Sequence, residues 1–366
     1  MQTESRIFIV IANKYYTLYR KQLTNSVLET SLIRYTLLLL LLFSLSACQP
    51  KQTGEFNIVL RLSHVFAPKE ELTHFMELVA QRITDKTHGA VKIMTFSQGQ
   101  IAAYKDSVEM VARGAHFISV EDPSYIGDYV PEFTALVGPM LYQNYDEYIA
   151  LIKTPLVQGW VNKLEQKGIK VLSLQYIFGF RNLITNKVIT TPDDLAGVKL
   201  RTPGSKLFIE TINAMGANAT PLPWGETFSA VQQGVVDGLE GSEFTNLGTK
   251  VYETGKKNVA LTNHFLGTCG VYISTEVWQK IPEKYQKIIA DEFNRGADEM
   301  VTLLKTKHSQ VVEALQSNGV QFNDIDRAAF EQKTRPLFQT LPGVNVAMYN
   351  QIQAELHKIR NKKVDE

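Results

Sequence analysis

Two arginines in this sequence stand where a guanidinium is costly unless an anion meets it. Arg181 interrupts "QYIFGFRNLITNK" (175–187), between Ile177, Phe178 and Phe180 on one side and Leu183 and Ile184 on the other. That run reads as a buried strand. The group keeps its proton, so burial demands a negative partner. Arg201, in "KLRTPGSKLF", ends a short strand directly before a helix. That edge is where open α/β sheets take ligands, and a helix N-terminus there favours an anion. Two such groups converging on one carboxylate would each hold it through paired hydrogen bonds. The alternative for Arg181 is an internal ion pair with Glu240 or Asp237, and the chemistry alone favours neither. Trp224, with Phe228 in "PLPWGETFSAV", either walls a cleft or belongs to a core; that choice is equally open.

Other chemistry is missing. There is no G-x-S-x-G, H-E-x-x-H, P-loop or helix-opening G-x-G-x-x-G. The seven histidines are dispersed without ligand spacing, so no metal and no cofactor is expected. His64 is the exception, closing the first strand at a sheet edge. With Glu121 it supplies a candidate base if the protein is an envelope enzyme acting on an acidic substrate.

The elements that must position these residues alternate. Strand 57–66, helix 69–89, strand 90–97, helix 104–114 and strand 115–121 give a β-α-β-α-β order, which argues for an α/β sheet covered by helices. The grammar resumes after Arg181: Thr191 caps a short helix opened by Pro192, 198–203 is a strand, Ser205 caps a helix over 206–216, and 217–222 is a strand. A helix over 226–234 leads into a strand at 235–241. "SVEMVARGAHFISVED" and "FSAVQQGVVDGLEGS" share one pattern of helix, glycine stop, strand and acid, with Glu121 and Glu240 at matching strand ends. Residues 282–319 keep helical periodicity broken only by Gly296, a length of roughly 50 Å if continuous.

Apolar residues make up 44% and charged residues 20% of the 366, a globular balance. Residues 36–47, "TLLLLLLFSLSA", follow Arg34 and end in "LSAC". The apolar run is short for a bilayer span, and small residues precede Cys48. This reads as a lipoprotein-type signal peptide, residues 1–47, with Cys48 as the lipid attachment site. Residues 1–47 carry five basic and two acidic side chains, so their removal turns a formal charge of +1 into −2. No nucleic-acid partner fits that balance. Cys269 then remains as a lone buried thiol, with no disulfide framework.

The run "FRNLITNK … PDDLAGVKLRTPGS … GANATPLPWGETFSAVQQGVVDGLEG" resembles the solute-binding proteins of tripartite ATP-independent periplasmic (TRAP) transporters, and the likeness spans nearly all of the chain after the signal. The resemblance implies two α/β domains around a ligand cleft, periplasmic-binding-protein-like, joined by crossing strands and a long helix. Their expected extents are 55–178 plus 267–306, and 179–266 plus 307–366. It implies a receptor in the periplasm, not an enzyme, that delivers an organic acid to the small and large membrane subunits of a TRAP permease. A receptor feeding a membrane sensor is the other non-enzymatic reading. Carried over, Arg201 is the main carboxylate clamp, Arg181 the supporting arginine, Glu121 a cleft residue and Trp224 the apolar residue after the proline motif. His64, Glu240 and Ser242 complete the candidate ligand-binding set. The family often reads D-G-x-E-N-P where this chain has Gly241 and Ser242, and Gly204 stands where some sialic-acid binders have asparagine. Both changes remove amides, so a C4-dicarboxylate, keto acid or sugar acid is expected rather than sialic acid.

Overall fold

A computed structural model describes residues 56–362 of the chain. The signal-peptide and Cys48 readings lie outside the described residues.

The first half is built as its periodicity dictates. In β1 (Ile58–Ser63), Ile58, Leu60 and Leu62 face inward while Val59 and Arg61 face out. Helix α1 (Glu71–Lys86) buries Leu72, Phe75, Met76, Val79 and Ile83, a three–four spacing that lays one apolar stripe on the sheet. β2 (Val91–Phe96), α2 (Tyr104–Ala112) and β3 (Phe117–Glu121) follow, and β1 pairs parallel with both β2 and β3.

The second half repeats the scheme. β4 (Ile169–Thr185) leads to β5 (Lys199–Thr202), α3 (Lys206–Ala214), β6 (Asn218–Pro221), α4 (Thr227–Gln232) and β7 (Gly238–Gly241). β5 pairs parallel with β6 and β7. The last strand starts at Gly238 rather than Val235, because Gly234 turns the chain at a φ of 72° and Asp237 is held in the turn. There the Asp237 carboxylate accepts from Lys199 N at 2.9 Å. Ser205 occupies the cap position of α3 without bonding through its side chain.

Helix α5 (Glu243–Thr249) and β8 (Asn258–Ser274) come next, then α6 (Glu283–Ser317), β9 (Gln321–Asn323) and α7 (Val346–Lys362). All strands join one sheet in the order β2-β1-β3-β8-β4-β7-β5-β6, with β9 beside β8. β4 and β8, 17 residues each, run antiparallel through the middle and belong to both halves. At about 3.3 Å per residue each reaches roughly 55 Å. Their register breaks beside the first arginine: Arg181 pairs with Phe265 and Leu183 with Ala260, so Leu261–His264 bulge out opposite Asn182 alone.

α6 is unbroken over 35 residues. Gly296 does not end it but lets it approach: a Cβ there would stand 2.4 Å from Val79 Cγ2 and 2.8 Å from the Tyr176 hydroxyl. The glycine is therefore needed for the contact of α6 with both α1 and β4.

Candidate functional site

A cavity of about 50 Å³ lies where the two halves meet. Tyr104, Glu121 and Asp122 line it from the first half, and Arg201, Trp224 and Glu240 from the second. Phe178, Arg181, Thr268 and Cys269, on the two central strands, also line it. The shared sequence pattern thus has a spatial meaning, since both acids that follow a glycine-stopped helix, Glu121 and Glu240, end at this cavity.

The question raised by Arg181 is answered from within the protein. Its Nε and Nη2 donate to both carboxylate oxygens of Glu240 in a bidentate pair, and both residues are buried. β4 and β7 run antiparallel with Leu183 opposite Glu240, which makes Arg181 the diagonal neighbour of the acid. Burial is the largest single influence on Glu240 and opposes its ionisation, but the charge and hydrogen bonds of Arg181, together with the neighbouring His264, outweigh it and hold the carboxyl down at about 2. The β8 bulge places His264 Nε2 3.7 Å from Glu240, too far for a hydrogen bond, while its Nδ1 meets Thr262 Oγ1 at 2.8 Å. Burial lowers the His264 pKa, which leaves the ring neutral at pH 7. The internal ion pair is the correct alternative for Arg181, with Glu240 and not Asp237 as partner.

Arg201 is different. It is 1% exposed, yet no carboxylate among the described residues pairs with it. Its Nε and Nη2 donate to one carbonyl, Leu222 O, at 3.0 and 2.7 Å, and Nη2 also donates to the Tyr104 hydroxyl at 3.2 Å. The expected two-pronged edge is therefore occupied by backbone, and Nη1 is the nitrogen without a bond to protein among the described residues. The Trp224 ring packs 5.0 Å from the guanidinium carbon. Stacking and one carbonyl offset part of the desolvation of a charge, not the whole of it.

Tyr104 joins the halves. Its hydroxyl accepts from Arg201 and from Trp224 N at 2.8 Å. Its own backbone N donates to Glu121 Oε1 at 2.7 Å. The residue has a φ of 56°, a left-handed conformation that a bulky side chain adopts only under constraint.

Three carboxyls are held near neutrality by burial. Glu121 is pushed up to about 8, with the Asp122 charge adding to burial and the Tyr104 N–H opposing it. Asp122 rises to about 6 against hydrogen bonds from Ser124. Glu70, at the start of α1, rises to about 7 although Ala67 N and the Trp224 indole both donate to its Oε2, at 2.7 and 2.9 Å.

Of the seven predicted ligand residues, Arg181, Arg201, Glu121, Trp224 and Glu240 line one cavity. His64 and Ser242 are fully buried and stand outside its lining. Ser242 caps α5, its Oγ accepting from Thr245 N at 3.2 Å. His64 lies 6.2 Å from the Phe66 ring, with neither nitrogen hydrogen-bonded. Sequence reasoning missed Tyr104, Asp122 and Glu70. Glu70 carries a signal, an acid at the entry of a helix; Tyr104, absorbed into a helix start, carries none.

Residues 62–342 match the family described as bacterial extracellular solute-binding protein, family 7. A TRAP periplasmic solute binding protein from Desulfovibrio salexigens, solved in complex with diglycerolphosphate, is 59% identical. It superposes with a TM-score of 0.83 over 85% of this chain and 100% of its own. One from Fusobacterium nucleatum with bound sn-glycerol-3-phosphate is 38% identical, with a TM-score of 0.82 over 84% and 99%. The C4-dicarboxylate-binding periplasmic protein DctP of Rhodobacter capsulatus is 25% identical over 285 residues, 76% of this chain and 85% of its own.

Proposed function

Because the chain belongs to the bacterial extracellular solute-binding proteins of family 7 and is a TRAP-type solute-binding protein, we propose that it captures a small polyol phosphate ester in the Arg201 cavity and hands it to a TRAP permease. One observation carries the anion: a guanidinium buried at 1% exposure with no acid paired to it among the described residues. A ligand anion at Nη1 would supply the missing charge, and closure of the two halves would follow from contacts that only the closed form makes. Support for phosphate rather than carboxylate comes from the relatives at 59% and 38% identity, whose bound molecules are glycerol phosphates. The small cavity and the missing amides at Gly204 and Gly241 agree with a compact ligand.

In this reading Arg201, Tyr104 and Trp224 hold the anion. Arg181 is a rigid, neutralised strut fixed by Glu240, and Glu121 meets the ligand as a neutral acid. Residues 55–178 with 267–306, and 179–266 with 307–366, are the two closing bodies. Cys48 anchors the receptor to a membrane by lipid in the periplasm, and small and large permease subunits read the closed surface. A sugar acid is the second reading, with a carboxylate in the phosphate's place.

The test is a thermal-shift and calorimetric panel of glycerol phosphates, dicarboxylates, keto acids and sugar acids. At a ligand concentration of 100 times Kd, stability rises by about 2.7 kcal/mol. Stabilisation by a dicarboxylate or sugar acid with silence from every phosphate ester overturns the phosphate reading. Chemical conversion of the bound compound overturns the receptor itself.

A further inference from the structure

The cavity carries a charge count as well as a shape. Of its two guanidiniums, Arg181 is neutralised in place by Glu240, so Arg201 is the one lining cation without a carboxylate among the described residues. Against it stand Glu121 and Asp122 in the wall and Glu70 behind Trp224. The remaining titratable groups add no charge: burial keeps His264 neutral and keeps the Cys269 thiol and the Tyr125 phenol protonated.

The donors agree with that count. Arg201 has Nε and Nη2 on Leu222 O, which leaves Nη1 for a ligand. The Tyr104 oxygen accepts twice, from Trp224 N and from Arg201, so both lone pairs are in use and only its proton is left to give. Nη1 and the Tyr104 hydroxyl are thus adjacent donors with a single positive charge between them.

We propose that this cavity selects a singly charged anion, so that a phosphodiester of small polyols binds in preference to the doubly charged phosphomonoester. A first negative charge is matched by Arg201. A second has no cation to meet and lies among three carboxyls in a water-poor space, where like charges repel strongly. The monoester enters by taking up a proton, either on itself, since its second pKa is about 6, or on a neighbouring acid. The acids respond in the same direction, because Asp122, Glu70 and Glu121 lose their protons in turn as pH rises through about 6, 7 and 8. The diester keeps one charge throughout.

The inference rests on the polyol phosphate reading, and calorimetry on protein produced from the full chain separates the two. Glycerophosphoglycerol, a diester, and sn-glycerol 3-phosphate, a monoester, are titrated from about pH 5.5 to about pH 8. At the alkaline end the diester binds at least about tenfold tighter, and the ratio narrows to within about threefold at the acid end, with proton uptake larger for the monoester than for the diester. Equal or tighter monoester binding at about pH 8 overturns the charge selection and leaves the phosphate reading standing. Failure of both phosphates beside tight binding of a sugar acid overturns both.

Discussion

The Trp224 indole donates to Glu70 Oε2 at 2.9 Å, tying the loop after β6 to the start of α1 on the opposite side of the cavity. This is a bond between the halves rather than within either. It exists only while they are together, and Tyr104 reinforces it from α2. Trp224→Phe keeps an aromatic face beside Arg201, smaller than the indole, and removes the donor. A lost hydrogen bond to a buried acid costs about 1.5–3 kcal/mol, so ligand affinity falls roughly 10- to 150-fold in calorimetry.

Arg201 and Glu240 separate function from stability. Arg201→Met removes a buried charge that no acid among the described residues matches, so binding is lost at least about 100-fold while stability falls by no more than about 1 kcal/mol. Glu240→Gln leaves the Arg181 charge buried without its partner and destabilises by about 3–5 kcal/mol. Urea titration of both variants measures the contrast. Equal destabilisation would show that Arg201 is bound into the fold as firmly as Arg181.

Arg201→Lys keeps the charge but not the geometry. The three donors of an ammonium radiate from one nitrogen and cannot span Leu222 O, Tyr104 and the ligand position that Nε, Nη2 and Nη1 of the planar fork reach from separate points. Affinity falls by about 100-fold or more, as read by calorimetry. Full affinity in this variant would mean that the anion sits elsewhere.

Stability depends on pH with two opposing slopes. Glu240 has its pKa depressed to about 2, so its contribution is present above the ordinary carboxylate value of 4.5 and is lost as pH falls toward 2. Glu121, Glu70 and Asp122 have raised values, about 8, 7 and 6; their effect is most favourable below their ordinary pKa and is lost as pH rises through those values. The unliganded protein is therefore most stable near the usual carboxylate range and weakens toward pH 8. Urea midpoints across this range test it, and Glu121→Gln flattens the alkaline slope.

Gly296→Ala improves helix propensity and still destabilises. The added methyl meets Val79 Cγ2 at 2.4 Å and the Tyr176 hydroxyl at 2.8 Å. Overpacking of this kind costs about 1–3 kcal/mol, against a gain of about 1 from propensity. The urea midpoint falls; an unchanged or higher midpoint would show that α6 yields at this contact.

The elements of both halves were legible because apolar spacing and glycine stops mark them, as in α1 and in the turns after α2 and α4. The site was legible in part. Arg201 stood out through its place at a strand end. The partner of Arg181 did not, because it depends on β7 lying beside β4 with Leu183 opposite Glu240, a register set by tertiary packing. Tyr104 was hidden for a related reason: a positive φ at a tyrosine leaves no mark in the chain around it. The bulge of Leu261–His264, which brings His264 under Glu240, follows from a mismatch between two strands and not from either alone.

The two 17-residue strands and the 35-residue helix are held in common by both halves. Neither half has a boundary at which a protease or a recombination event could sever it and leave a complete sheet behind. If the two halves open as the proposed receptor requires, the motion is flexure of a shared girder rather than swivelling on a tether. In the proposed receptor, release of cargo would then follow once the anion is drawn off Arg201, with no separate hinge to reset.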